Sequence, residues 1–252
     1  MAKLLQTLVS IAILLAAAST AAQSQTTSFT YDFNGGKPTG LTYQGSAGLP
    51  SETTYLRLTD ARPGVTGRVL HTNPVQFSQT GGGQADFETT INFIITPEGA
   101  KTVADGLAFF IAPVGSTIPS GSGGASLGIF GSDGTSPSLF AVEFDTYVNS
   151  EWDPNYRHVG IDIGSRASRN ATEAGDAIVG RRVSARINYV GATKTITVRV
   201  SAGSEKFEVS YEYDLSGFLP KQVQVGLSAA TGKYGATHDI VSWYFTATMV
   251  NK

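Results

Sequence analysis

The residues of this sequence best suited to chemistry are polar and lie close together between positions 143 and 158. Glu143 and Asp145 are two residues apart, so a β-strand would place both side chains on one face. Asn149 and Asp153 follow in a polar stretch that can fold back over them, and His158 opens the next apolar stretch. Carboxylate and amide oxygens suit calcium, whereas one imidazole among carboxylates suits a first-row ion such as manganese. The spacing indicates a site for two ions that share carboxylates.

The elements that would position these residues are short strands. Apolar and polar residues alternate at 29–33, 195–200 and 222–228, which is typical of half-buried strands. Glycine-rich turns separate the apolar stretches, and no long helix or repeat of fixed period is visible. Many short strands in one unit predict an all-β sandwich or jelly roll. The further predicted strands are 85–95, 106–112, 139–146, 158–163, 182–190, 206–213 and 238–249.

Composition limits the compartment and the partners. The 18 basic and 20 acidic residues are balanced and form no basic block, which argues against a nucleic-acid partner. Residues 1–22 have a lysine, a short apolar run and small residues, a pattern typical of a cleaved signal peptide. The run is too short and too interrupted for a membrane span. We expect a single domain at 23–252 that is secreted or reaches a vacuolar seed-storage compartment, and it contains no cysteine.

One tripeptide predicts a glycan. Asn170-Ala171-Thr172 is an Asn-x-Thr acceptor in a polar stretch. We therefore expect a glycoprotein modified at Asn170, and a mass spectrum of the native protein without a glycan there would contradict this.

Several longer stretches resemble the legume lectin family. They occur in the family's order, and the resemblance runs from about Thr27 to Val250. It implies a concanavalin-like jelly-roll β-sandwich of antiparallel sheets that binds carbohydrate and depends on Ca²⁺ and Mn²⁺. The stretches are Val142–Asp145, Trp152–Asn155, His158–Asp162, Ala104–Pro113, Gly226–Gly232 and Ser242–Thr246.

The same resemblance implies which residues hold the ions. Asp145 and Asp153 would be shared, and the family's cis peptide bond corresponds to Ala104–Asp105. Ion binding and a competent sugar pocket would then form one equilibrium. The implied manganese set is Glu143, Asp145, Asp153 and His158, with Ser165 reached through water. The implied calcium set is Asp145, the Tyr147 carbonyl, Asn149 and Asp153.

The resemblance also implies a sugar site. A carboxylate and an amide together would fix the orientation of sugar hydroxyls, and an aromatic ring would cover the sugar's apolar face. The family usually has glycine where Ala125 stands, so its methyl group can crowd the sugar. The short loop Gly232–His238 resembles that of mannose/glucose binders, with galactose as the alternative ligand. The implied contacts are Asp105, Ala125, Tyr147, Asn149, Lys233 and Tyr234.

Other functions stay open at this point. On spacing alone, the acidic segment also fits a solvated hairpin with an ordinary histidine. A jelly-roll glycosidase would need a second glutamate shortly after Asp145, but Tyr147 and Val148 stand there, so we expect no enzyme. A sugar-silent, arcelin-like or amylase-inhibitor-like defence protein is the other alternative. We expect binding to monosaccharides, oligosaccharides or glycoprotein glycans, no membrane insertion, and a homodimer or homotetramer that multiplies weak sites in plant defence.

Overall fold

The computed structural model describes residues 25–97 and 102–250. The signal peptide predicted at 1–22 lies outside the described residues. The strands are β1 Thr26–Asp32, β2 Leu41–Gly45, β3 Leu56–Thr59, β4 Thr66–His71, β5 Val75–Gln76, β6 Gln84–Pro97, β7 Gly106–Pro113, β8 Thr135–Asp145, β9 His158–Ser165, β10 Asn170–Glu173, β11 Arg182–Val190, β12 Thr195–Ala202, β13 Glu205–Glu212, β14 Gln222–Ala230 and β15 Ala236–Val250. One α-helical turn, α1, spans Leu215–Phe218.

The strands form two antiparallel sheets that pack face to face. A seven-stranded sheet has the order β1-β15-β6-β11-β12-β13, with β3 also paired to β15. An eight-stranded sheet has the order β10-β9-β8-β7-β14-β4-β2, with β5 also paired to β14. Consecutive strands pair at β7 to β10 and at β11 to β13, whereas pairs such as β1-β15, β15-β6 and β7-β14 join strands distant in sequence, as in a jelly roll.

The seven-stranded sheet buries one face and exposes the other. In β12 the apolar residues Ile196, Val198 and Val200 are buried, whereas the residues between them are more exposed. This is the period-two pattern expected when only one face meets the core. The strands predicted from alternation therefore correspond to strands of this sheet and its partner.

The eight-stranded sheet is covered on both faces, which explains its continuous apolar runs. In β7, Leu107, Phe109 and Ile111 pack into the core between the sheets. The intervening Ala108 and Phe110 pack into a second apolar cluster with Leu127, Ile129, Phe130 and Leu139. We call this second cluster the outer core. It underlies the chain segment that joins β7 to β8, and that segment carries part of the candidate site.

The sandwich of antiparallel sheets predicted from the sequence is confirmed. The predicted strands are present, with ends shifted by a few residues. The short or edge strands β2 to β5 and β10 were not predicted from alternation. In the part of the chain that the structure describes, no helix has the length and apolar character needed to cross a membrane.

Candidate functional site

Strand register brings three side chains of the acidic segment together. Glu143 and Asp145 end β8, and Asp145 pairs with His158 at the start of β9. One ligand atom from each of these residues lies within 4.8 Å of the other two. All three side chains are buried, and His158 Nε2 lies 2.9 Å from Glu143 Oε1. The structure thus joins the residues that strand spacing predicted to be neighbours.

The loop after β8 folds back onto its own carboxylates. Asp145 Oδ1 accepts a hydrogen bond from the Tyr147 N–H at 2.7 Å, and Asp153 Oδ2 accepts one from the Asn149 N–H at 2.6 Å. In return, the Asp153 N–H donates to the Asn149 carbonyl at 2.9 Å. The side-chain oxygen of Asn149, Oδ1, is buried without a hydrogen-bond partner. The loop therefore holds Asn149 and Asp153 near the ends of β8 and β9, with an acceptor left unused.

This cluster concentrates negative charge out of water. Burial, followed by the charges of Glu143 and Asp153, raises the pKa of Asp145 well above its usual range. Burial also raises the pKa of Asp153 to about 6. Burial alone would lower the pKa of His158, but its hydrogen bond to Glu143 and the charge of Glu143 raise it. Such shifts show that the ionised carboxylates are costly here, and a bound cation reverses that cost. The donor set fits a divalent cation.

Two further residues belong to this cluster and were not singled out from the sequence. Ser168 Oγ lies 2.8 Å from Glu143 Oε1 and 2.7 Å from Asp162 Oδ1. Because the hydroxyl has one hydrogen, its second contact requires a protonated carboxyl group. Burial and the charge of Glu143 raise the pKa of Asp162 well above its usual range, which favours the protonated form of this carboxyl group. Ser165, which the resemblance places in contact with an ion through water, has its Oγ accepting a hydrogen bond from the Ala167 N–H at 3.2 Å.

A signal for Asp162 existed in the sequence. His158, Gly160 and Asp162 alternate in β9 and so share the face that meets Glu143. Gly160 is needed there, because a Cβ at that position would lie 2.0 Å from Ser168 Oγ and 2.8 Å from Glu143 Oε1. Ser168 returns to the cluster only because the chain reverses after β9, and no periodic pattern marks that turn.

Asp105 lies just before β7 and is joined to the acidic segment through Thr146. The Ala104–Asp105 peptide bond is cis, as the resemblance implies. The Asp105 carbonyl accepts hydrogen bonds from Thr146 N–H and Thr146 Oγ1, both at 2.9 Å. The carboxyl group is almost fully buried, yet its Oδ2 has no hydrogen-bond partner. Burial, and then the charge of Asp153, raises the pKa of Asp105 to about 7.

Two glycines let the backbone approach this carboxyl group. A Cβ at Gly232 would lie 2.5 Å from Asp105 Oδ2, so only glycine fits at this position without movement. A Cβ at Gly124 would lie 3.7 Å from Asp105 Oδ2 and also 3.7 Å from Gly232 Cα. Gly124 has φ +62°, which favours glycine. The loops before β15 and before β8 therefore meet beside the Asp105 carboxyl group.

The remaining residues predicted to contact sugar lie on these two loops or next to them. Ala125 is half-buried in the single 3₁₀ turn Gly124–Ser126, next to the glycine that approaches Asp105. The rings of Tyr147 and Tyr234 lie 5.7 Å apart between centroids and form one aromatic wall. Lys233 is exposed, with its Nζ 5.4 Å from the centroid of the Tyr234 ring.

One arginine links the loop after β8 to the turn Gly124–Ser126. The Arg166 guanidinium carbon lies 3.7 Å from the centroid of the Trp152 ring, within cation–π range. Its Nη1 also lies 3.3 Å from Ser126 Oγ, to which it donates. Trp152 directly precedes Asp153 in this loop.

Comparison with known proteins gives a consistent result. The sequence profile of the legume lectin domain matches residues 26–252. A lectin of Leucomphalos mildbraedii is 40% identical over 234 residues, which cover 88% of this chain and 96% of the relative. The solved structure of peanut lectin with a nine-residue peptide has a TM-score of 0.83 and 34% identity, covering 90% of this chain and 100% of that one. Winged bean acidic lectin in complex with methyl-α-D-galactose has a TM-score of 0.81 and 33% identity, covering 90% and 100%.

These relatives carry the names of lectins and agglutinins, which are carbohydrate-binding proteins and not enzymes. The expectation of a non-enzymatic carbohydrate-binding domain is confirmed, and the glycosidase alternative is set aside. Both the profile and the relatives span nearly the whole chain. The protein belongs to the legume lectin family.

Proposed function

We propose that this lectin binds mannose or glucose residues in a site that requires Ca²⁺ and Mn²⁺. The observation that carries the proposal is the Asp105 carboxyl group. It is buried, has an unpartnered oxygen, lies beside two loops, and is tied through Thr146 to the acidic cluster. A buried acceptor of this kind is costly unless a ligand satisfies it. Sugar hydroxyl groups are donors that would do so.

The acidic cluster supports the ion requirement. Glu143, Asp145 and His158, whose ligand atoms lie together, would hold Mn²⁺ with Asp153 and, through water, Ser165. Ser168 hydrogen-bonds Glu143 from outside this set. Asp145, Asp153, the Tyr147 carbonyl and Asn149 would hold Ca²⁺, for which the unpartnered Asn149 Oδ1 is a suitable ligand atom. The ions would neutralise the buried carboxylates and fix the loop that carries Tyr147 and Asn149. No chemical step is involved, because binding is the whole function.

The arrangement supports a division of roles among the residues facing the sugar. Asp105 would accept hydrogen bonds from two hydroxyl groups, and the Asn149 amide would donate one. The aromatic wall of Tyr147 and Tyr234 would pack against the apolar face of the ring. Backbone N–H groups of Ala125, Lys233 and Tyr234 would contact further oxygens. The Ala125 methyl group lies in the half-buried turn, where it narrows the site relative to glycine.

Ligand preference rests on loop length alone, since the sugars named with the solved relatives, galactose and GalNAc, are of the galactose type. The loop from Gly232 to His238 is short, which supports mannose or glucose. Galactose is the second candidate, because winged bean acidic lectin is solved with methyl-α-D-galactose. Competition between methyl α-D-mannoside and methyl α-D-galactoside for the ion-loaded protein tests the preference. We expect the mannoside to compete at lower concentration, and the reverse order would assign the site to galactose.

Trp152 offers a spectroscopic test of the ion site. It lies beside Asp153 and under Arg166, whereas Trp243 is fully buried and donates from its Nε1 to Thr89 Oγ1 at 3.0 Å. Adding Ca²⁺ and Mn²⁺ to stripped protein should change tryptophan emission through Trp152. The change is expected to disappear in Trp152→Phe and to persist in Trp243→Phe. A full change in Trp152→Phe would locate the ions away from this loop.

Other expectations about the protein remain predictions. Asn170 is exposed at the start of edge strand β10, and its Nδ2 donates to the Ser210 carbonyl at 2.8 Å. A glycan there would have to preserve or replace that hydrogen bond. Secretion and assembly into a dimer or tetramer are likewise proposed, and sedimentation of the protein as a monomer at micromolar concentration would contradict the assembly.

A further inference from the structure

Arg68 is a buried charge with an unusual set of partners. It lies on β4, and its side chain is fully buried. Among the described residues, none of its hydrogen-bond partners is a carboxylate, and Nε has no partner at all. Burial lowers the pKa of its guanidinium to about 10. A charge in this position costs stability that an apolar side chain of similar size would avoid.

All of the hydrogen bonds that the Arg68 side chain donates go to one chain segment, Ser116–Gly128. Nη2 donates to Ser116 Oγ at 2.9 Å, and Nη1 donates to the carbonyls of Thr117 at 3.0 Å and Gly128 at 3.4 Å. The two ends of the segment are thus bound by a single guanidinium group. The group also lies 4.5 Å from the centroid of the Phe110 ring in the outer core, which fixes its plane.

The segment closed in this way contains the turn that faces Asp105. Gly124 and Ala125 lie between the two ends, and Gly124 approaches the Asp105 carboxyl group and Gly232. Other contacts also hold the segment near its second end, among them the bond from Arg166 to Ser126 Oγ. Gly128 N–H donates to the Ser122 carbonyl at 2.8 Å, and Ser228 Oγ donates to the Leu127 carbonyl at 2.5 Å. Of these bonds, only those of Arg68 join the first end to the second.

We propose that Arg68 is a positioning residue for carbohydrate binding, which closes the base of segment Ser116–Gly128 and so orders the turn at Gly124 and Ala125. This inference rests on the proposed function. A loop that is ordered before binding does not lose that conformational entropy when the ligand arrives, so its affinity is higher. The planar fork of arginine suits three acceptors in different directions, whereas lysine presents a single charged nitrogen and methionine presents no donor.

The test compares Arg68→Met, Arg68→Lys and a control, Arg186→Met. Arg186 is exposed on the seven-stranded sheet and pairs with Glu88, so the control removes a guanidinium far from the site. In Arg68→Met we expect methyl α-D-mannoside affinity to fall by about ten-fold or more, as the loop must be ordered on binding. Affinities for Ca²⁺ and Mn²⁺ should stay within about two-fold, since the acidic cluster does not touch Arg68. Arg68→Lys should lie between Arg68→Met and the wild type.

Hydrogen exchange supplies a readout that does not depend on the sugar. Amides of residues 116–128 should exchange faster in Arg68→Met, whereas those of β8 and β9 should not. Unchanged sugar affinity together with unchanged exchange would overturn the inference. If the wild type binds neither the mannoside nor a galactoside, the proposed function fails, and exchange alone decides whether Arg68 orders the segment. If Arg68→Met does not fold, sugar affinity and amide exchange are measured in Arg68→Lys instead. Wild-type values of both in Arg68→Lys would contradict the positioning role.

Discussion

Replacing Asp105 with asparagine is expected to weaken binding of methyl α-D-mannoside by about 100-fold while ion binding is retained. The proposed site uses the carboxylate as an acceptor for two sugar hydroxyls, and an amide can accept with only one of its two atoms. Hydrogen bonds to charged groups contribute about 1.5–3 kcal/mol each, so losing the charge and one bond costs roughly 3 kcal/mol. Calorimetric titration of the ion-loaded variant measures the loss. The control is Asp32→Asn, an exposed carboxylate that caps a turn after β1.

Stability should move differently from affinity in this variant. Burial raises the pKa of Asp105 to about 7, above its value in the unfolded chain. Protonation of Asp105 therefore stabilises the folded state, and this contribution to the free energy of unfolding is lost as pH rises through about 7. Asp105→Asn is uncharged at every pH, so above this pH it should unfold at a temperature no lower than the wild type. Nearly wild-type sugar affinity in Asp105→Asn would show that the Asp105 carboxylate does not bind the sugar.

Asp145→Asn is expected to lose ion binding and sugar binding together. Asp145, like Asp153, is proposed to contact both ions, and it is buried beside Glu143 and His158. Binding of an ion at 100 times its dissociation constant stabilises a fold by about 2.7 kcal/mol, and the variant should lose most of that gain. Thermal unfolding with added Ca²⁺ and Mn²⁺ should therefore show a lower midpoint than for the wild type.

The same comparison in a chelator should show no such loss. Without ions, Asp145 is a carboxylate held among Glu143 and Asp153, and its raised pKa shows that ionisation there is unfavourable. Removing the charge takes away that repulsion, so the variant should be as stable as the stripped wild type or more so. Glu208→Gln serves as the control, because this exposed residue pairs with Arg199 on the other sheet. An ion-induced rise of the midpoint equal to that of the wild type would exclude Asp145 as a ligand.

Much of the fold was predictable because it depends on period-two burial. In β9 the polar residues His158 and Asp162 alternate with apolar ones, whereas β8, which bears Glu143 and Asp145, is recognised by a continuous apolar run that is buried on both faces. The register of the two strands follows once the sheet forms. The seven-stranded sheet shows the pattern most plainly, since only one of its faces is buried. Short strands such as β5, with two residues, carry too little pattern to be recognised.

The parts of the site that were missed depend on chain reversals and on buried single residues. Ser168 reaches Glu143 only after the turn that follows β9, so a strand pattern points no more to it than to Ser165. Arg68 is one of several polar residues in β4, and nothing in that short stretch indicates that it is fully buried. Glycine is needed at position 232 because the Asp105 carboxyl group lies where a Cβ would be, and this contact joins two distant parts of the chain. Such features arise from contacts between segments that are distant in sequence, which local sequence patterns do not encode.

The central claim is that ions and sugar share one equilibrium at Asp105 and the acidic cluster. Its most direct test is calorimetric titration of methyl α-D-mannoside into protein loaded with Ca²⁺ and Mn²⁺, repeated after chelation and again after the ions are restored. We predict binding in the loaded protein, its loss in chelator and its recovery with the ions. Equal binding in loaded and chelated protein would contradict the coupling. No binding of either the mannoside or a galactoside by loaded protein would instead favour a sugar-silent defence protein.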